Sequence, residues 1–342
     1  MKDIPQPAVS DEDNAVSLPG FVDLQVNGYD GVDFTSPDVS AEDVLRCAAR
    51  LRELGTAGFL ATIVTAPPAD IENSMKAVSE AMRQQGPDGN ILGIHLEGPF
   101  ISPEQGYRGA HREKCIREAD LLWFRKLQDL AQGCIRIVTV APETPRIPAF
   151  IEAVRDKVLV ACGHTNTDYA SLRAAVNAGL SLVTHFGNGC RHLIDRHRNP
   201  LVNMLACSEL TLGFISDGHH LPEPFLRMLA NCVPVERLFV VSDSVHFGGL
   251  APGVYDSGFG PVRVDENGRL CLASDANVLA GSAATMMECM NHLASLRIYD
   301  ESDLLKIGFE TPLRLLGLDA EAFAKREGHM AFDTAAQLFV QT

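Results

Sequence analysis

Eight polar residues stand where short apolar runs of this sequence end: Gln25, Asn27, Glu97, His164, His185, Asp217, His220 and Asp243. Glu97, His164 and His185 form a sound ligand set for a divalent ion, one carboxylate and two imidazoles, with a coordination position left open for water. Asp243 follows the last run, where a general base belongs. A single Glu or His in a loop is ordinarily solvated or hydrogen-bonded, so it is their joint placement that points to a site. His95 shares the face of Glu97 by two-residue alternation and reads as packed in the interior rather than as a ligand. Cys162 and Cys190 flank the group and read as space-filling thiols.

The runs that carry these residues recur in a strand-then-helix rhythm. Near-continuous apolar stretches occur at 20–26, 58–64, 90–98, 135–140, 158–163, 180–186, 210–216 and 237–243. Strands covered on both faces by helices read this way. Segments of helical period lie between them, including Ala41 to Leu54, Ile71 to Met82, Ala170 to Ala178 and Phe225 to Cys232. Eight strands with interleaved helices predict a (β/α)8 barrel, whose reacting groups sit at the C-terminal ends of the strands. A doubly wound open sheet is disfavoured because no G-x-G-x-x-G follows the first strand. After the eighth strand, Glu266-Asn267-Gly268-Arg269 predicts a tight hairpin. Helices are expected from about Gly281 to Leu296 and near Ser302 to Phe309, another opens at Thr311-Pro312, and the tail reads as strand.

The chain has 342 residues and a net charge of −15, which disfavours nucleic acid and anionic membranes as partners. Recognition of a phosphate would need a small, placed group of cations. Nine cysteines are scattered without a C-x-x-C pair, so reduced thiols are expected. The N-terminal stretch has no basic region followed by an apolar core, and no apolar run approaches membrane-spanning length. A cytoplasmic location is the expectation.

Eight motifs also carry a resemblance: LPGFVDLQVNGYDGVDF, GIHLEGPFI, GYRGAH, GHTNTDY, THFGNGC, SDGHH, VSDS and LAGSAATM, in this order from residue 18 to 286. Together they resemble the N-acetylglucosamine-6-phosphate deacetylases of the amidohydrolase superfamily. The resemblance implies that Glu97, His164 and His185 hold one divalent ion per chain, zinc first, with iron, manganese or cobalt as alternatives. It makes Asp243 the catalytic acid/base and His111 the donor to the acetyl carbonyl. Ala110, Asn188, Gly189 and His220 would contact the sugar, and Leu279, Ala280 and Gly281 would close over it. Arg196 falls where the family binds phosphate, within a different local sequence. Relatives often carry His-x-His at the end of the first strand to hold a second metal; here Gln25-Val26-Asn27 replaces it, and amides are poor ligands for a zinc-like ion.

The implied reaction releases acetate from N-acetylglucosamine-6-phosphate and leaves glucosamine-6-phosphate. A bound ion would bring the pKa of its water toward ~7, and Asp243 would carry the proton from that water to the leaving amine. Two alternatives stand beside it: the same chemistry on another N-acetyl sugar or sugar phosphate, such as N-acetylgalactosamine-6-phosphate, and a non-catalytic sugar-phosphate-binding barrel. Retention of Asp243 argues against the latter, since a binder needs no proton carrier. Family members usually build a side β-sandwich from strands before the first motif and from the tail. Only 18 residues precede Pro19, so that sandwich is expected to be reduced or missing. The expected division is a polar segment 1–18, a catalytic barrel 19–310 with additions after strand 8, and a helix with a strand-like tail over 311–342. Related deacetylases are commonly dimers, so a homodimer is a further expectation.

Overall fold

A computed structural model of the chain describes residues 18–341, apart from 259, 327 and 329. Apart from Leu18, the N-terminal segment 1–18 lies outside the described residues. Eight of the apolar runs form strands: β1 Phe21–Val26, β2 Thr56–Val64, β3 Ile91–Glu97, β4 Ile135–Val140, β5 Leu159–Cys162, β6 Leu182–Val183, β7 Thr211–Phe214 and β8 Leu238–Val240. They pair in parallel, each with its neighbour in sequence. All six residues of β1 are buried, which is why the run shows no alternation. The sheet closes through the backbone just past β8, where Asp243 N–H donates to the Gln25 carbonyl at 3.0 Å and Asn27 N–H to the Ser244 carbonyl at 2.8 Å. The expected (β/α)8 barrel is the fold.

Seven helices connect successive strands: α1 Ala41–Glu53, α2 Pro68–Gln85, α3 Leu121–Leu130, α4 Ile147–Val154, α5 Tyr169–Ala178, α6 Pro200–Leu205 and α7 Glu223–Cys232. Their starts are set by local chemistry. Ser40 and Asp43 form a capping box on α1, while Asp120, Asp168 and Asn199 cap α3, α5 and α6. The apolar stripe of α1 (Val44, Cys47, Ala48, Leu51) is buried at helical spacing. Helix α8, Met286–Ser295, follows strand 8 and opens on a second capping box, Thr285 with Glu288.

Two additions stand outside the barrel. Between β8 and α8, four antiparallel strands form a small sheet: β9 Gly253–Tyr255, β10 Val262–Val264, β11 Leu270–Leu272 and β12 Asp275–Leu279. The Asn-Gly hairpin joins β10 to β11. The sequence signals only the inner pair: β9 opens on Gly253 directly after Ala251-Pro252, and β12 opens on Asp-Ala-Asn, both of which read as turn. Phe247, Val262, Val264, Leu270 and Ala280 make this sheet's own apolar cluster. The C-terminal residues form short helices over 301–324 and a hairpin, β13 Met330–Asp333 with β14 Leu338–Gln341. This hairpin packs at the start of β1: Phe339 meets Phe21 edge-on at 4.8 Å, and Leu18 pairs with Met330. No helix among the described residues is long and apolar enough to cross a membrane. All nine cysteines are free thiols.

Candidate active site

Strands β5, β6 and β8 end earlier than their apolar runs suggest, and a polar residue lies just beyond each end. His164, His185 and Asp243 have φ of +50°, +31° and +51°. This left-handed backbone is unfavourable for residues other than glycine, costs on the order of 1–3 kcal/mol each, and persists only where the surroundings hold it. Here it breaks the extended geometry and turns all three side chains toward the axis of the barrel, where β3 ends in Glu97.

Glu97, His164 and His185 form one buried cluster, which half-buried His111 joins, and Asp243 stands half-buried beside it. His185 Nε2 lies 2.9 Å and His164 Nε2 3.2 Å from the same carboxylate oxygen, Glu97 Oε1. The two imidazole nitrogens are 3.0 Å apart, and His111 Nε2 is 3.2 Å from His164 Nε2. His164 Nδ1 is 2.9 Å from the Tyr107 carbonyl, so it must be the protonated nitrogen. The lone pair of His164 Nε2 then faces a carboxylate oxygen. Two acceptors at that distance are stable only with a cation or a proton between them. The donor set, one carboxylate oxygen and converging imidazole nitrogens with one outer nitrogen fixed by a carbonyl, fits a divalent ion. Glu97, His111 and His164 also bring ligand atoms within 4.8 Å of one another. Space around the ring is tight: a Cβ on Gly189 would come within 2.9 Å of His164 Nδ1, and one on Gly109 within 2.9 Å of its Cε1. Both glycines also have positive φ.

Burial opposes charge throughout the cluster, and local partners decide each outcome. Burial alone would raise Glu97, but hydrogen bonds and charge from His164 and His185 outweigh it and hold the carboxyl well below its usual range. Burial, with the His164 charge, pushes His111 down to about 3, so its imidazole is neutral. For His185, burial lowers the pKa, but the bond to Glu97 overrides it and the net direction is up. Asp243 is raised, first by burial and then by the charge of Glu97.

Asp243 is gripped from the first strand. Gln25 Nε2 donates to its Oδ1 at 2.9 Å and Asn27 Nδ2 to the same atom at 2.7 Å. On the next loop, His220 Nδ1 lies 2.8 Å from Asp217 Oδ2, and Asp217 Oδ1 accepts the backbone N–H groups of His219 and His220, each at 2.9 Å. Three buried polar atoms of this region lack a hydrogen-bond partner: Asn27 Oδ1, His185 Nδ1 and Asn188 Nδ2.

Residues 16–244 match the amidohydrolase family. The chain belongs to that family. It is 34% identical to the N-acetylglucosamine-6-phosphate deacetylase of Bacillus subtilis over 93% of this chain and 78% of the relative. It is 33% identical to the Bos taurus protein of the same name, over 95% and 79%. A solved structure of the Mycobacterium smegmatis deacetylase, a mutant in complex with N-acetyl-D-glucosamine-6-phosphate, superposes with a TM-score of 0.84 at 30% identity, covering 99% of this chain and 88% of that one. Within the amidohydrolases, a metal-dependent family, the chain therefore stands among the N-acetylglucosamine-6-phosphate deacetylases, and its converging Glu and His side chains form a possible metal site.

The expected residues divide into two groups in this amidohydrolase. Glu97, His111, His164, His185 and Asp243 come together as described. Gly189 packs on the His164 and His185 rings, and Asn188 N–H bonds the His185 carbonyl at 2.9 Å. Leu279, Ala280 and Gly281 lead from β12 to Ser282, which bridges to Ser244 and donates its N–H to the Asp243 carbonyl at 3.3 Å. Ala110 is exposed beside His111. Arg196 is exposed on the loop before α6, where Asp195 accepts the N–H groups of His197 and Arg198 at 2.8 Å each. His95 is buried, with Nδ1 3.1 Å from the Leu24 carbonyl and Nε2 2.7 Å from Thr139 Oγ1, the interior packing expected of it. Sequence reasoning passed over Thr65, whose Oγ1 lies 2.8 Å from His111 Nδ1, and Tyr107, which acts through its main-chain carbonyl. A main-chain contact leaves no trace in residue type. Thr65 directly follows β2 and could have been picked out by its position alone.

Proposed function

We propose that this chain is a one-metal deacetylase that hydrolyses the acetamido group of N-acetylglucosamine-6-phosphate, giving glucosamine-6-phosphate and acetate. The observation that carries the reading is the convergence of two imidazole nitrogens on one carboxylate oxygen beside a separately held Asp243. Glu97, His164 and His185 would hold the ion, zinc by preference for this nitrogen-and-oxygen set. When bound, such an ion supplies Lewis acidity and a water that ionises near neutral pH.

The remaining steps belong to the protein. Asp243 takes the proton of the attacking water as the new C–O bond forms, then delivers it to the nitrogen as the C–N bond breaks. Neutral His111, with Nδ1 accepting the Thr65 hydroxyl, presents Nε2–H to the oxyanion that develops on the acetyl carbonyl. His220, its Nδ1 turned to Asp217, has Nε2 left for the sugar. Asn188 Nδ2, buried without a partner, is a further polar contact for substrate. Ala110, Gly189 and the segment Leu279, Ala280 and Gly281 line the sugar, and Arg196 takes the phosphate. The barrel over 19–310 would then be the catalytic unit and 311–342 the remnant of the side sandwich, in a cytoplasmic homodimer.

Acetate release from a panel of N-acetylated sugars, with and without a 6-phosphate, tests this reading. The phosphorylated glucosamine derivative should be the best substrate. A 28% identical Escherichia coli relative named N-acetylgalactosamine-6-phosphate deacetylase puts that isomer on the panel as the second reading. If the unphosphorylated sugar is preferred, the phosphate assignment is wrong.

A further inference from the structure

We propose that Gln25 and Asn27 are positioning residues for Asp243, two amides from one strand end that hold a single carboxylate oxygen and so reserve the other for proton transfer. The proposal rests on the reading of Asp243 as the proton carrier. Residues 25 and 27 share a face by strand alternation, and Val26 between them points into the apolar core. A carboxylate bound in this way only accepts, so both amides must present their NH2 groups to it. They do so at 2.9 and 2.7 Å, both on Oδ1, and neither engages Oδ2.

Two donors from different points of one strand fix the plane of the carboxylate as well as its position. Asp243 needs this hold, because its backbone turns into the left-handed region, so main-chain pairing alone does not orient its side chain. The amides are not needed to close the barrel: the pairing of β1 with the segment after β8 runs through the main-chain groups of Gln25, Asn27, Asp243 and Ser244. Two amides that are poor ligands for a zinc-like ion thus form a hydrogen-bonding clamp on the carboxylate.

The test is steady-state kinetics on metal-loaded Gln25→Met, Asn27→Leu and the double variant, with Asp243→Asn in the same series. Metal content and melting temperature are measured on each, and Asn27→Ala replaces Asn27→Leu if the latter does not fold. Each lost donor should lower kcat by about tenfold or more, as for a hydrogen bond to a charged group, and the double variant should lose more. KM and metal content should stay within about twofold, because neither amide is a ligand or touches the cluster of Glu97, His164 and His185. Wild-type kcat in the clamp variants beside an inactive Asp243→Asn overturns the clamp alone. A fall confined to metal content or to substrate affinity also overturns it. An active Asp243→Asn removes the underlying proton-carrier reading, and the clamp falls with it.

Discussion

The cluster of Glu97, His164 and His185 and the loop that carries Arg196 lie on the same rim of the barrel and are built in opposite ways. Glu97, His164 and His185 are each under 10% exposed, come from three strand ends, and are restrained by one another, by the Tyr107 carbonyl and by glycines too close for any side chain. The loop 191–198 is largely exposed: Leu193 is 90% accessible, and the local order comes from Asp195 turning back on its own backbone. Chemistry that fails if an atom moves by an ångström is placed on strands. Recognition of a charged group tolerates adjustment, and in the proposed reading it would fall to this solvated loop. Arg191 marks the boundary, pairing with Glu104 and stacking on Tyr107 at 5.5 Å, so the rigid side reaches one residue into the loop.

Two substitutions sharpen this contrast. Asp243→Asn keeps the shape of the rigid side but cannot accept a proton from water, so kcat should fall by ~10²–10⁴, as for loss of acid–base catalysis. Metal content should be unchanged; near-normal acetate release would refute the assigned role. Arg196→Ala, on the exposed loop, should act on KM for a phosphorylated substrate by about 10- to 150-fold, the range of a charge-assisted contact. The unphosphorylated analogue should respond little. Equal, weak responses from both substrates would make Arg196 a solvated side chain and move phosphate recognition elsewhere.

The same contrast explains what the sequence revealed. The barrel was legible because eight apolar runs alternate with helical periods, and the convergence of Glu97, His164 and His185 because each lies at the end of such a run. The strand ends were not, since the left-handed turns at His164, His185 and Asp243 leave β-like residue types in place while breaking the ladder. The grip on Asp243 was also hidden. Gln25 and Asn27 lie more than 200 residues from it, and their types say only what they cannot ligate. The four-stranded insertion is half legible, through its Asn-Gly turn, because its outer strands open on Gly253 and on Asp275-Ala276-Asn277, residue types that read as turn.

Metal titration of the stripped protein tests the central claim most directly. Chelation should abolish acetate release from N-acetylglucosamine-6-phosphate, because the three ligands would then face one another with no cation between them. Added zinc should restore the rate in proportion to occupancy and reach its plateau at one ion per chain. A plateau at two ions, or undiminished acetate release by the stripped protein, would contradict the account.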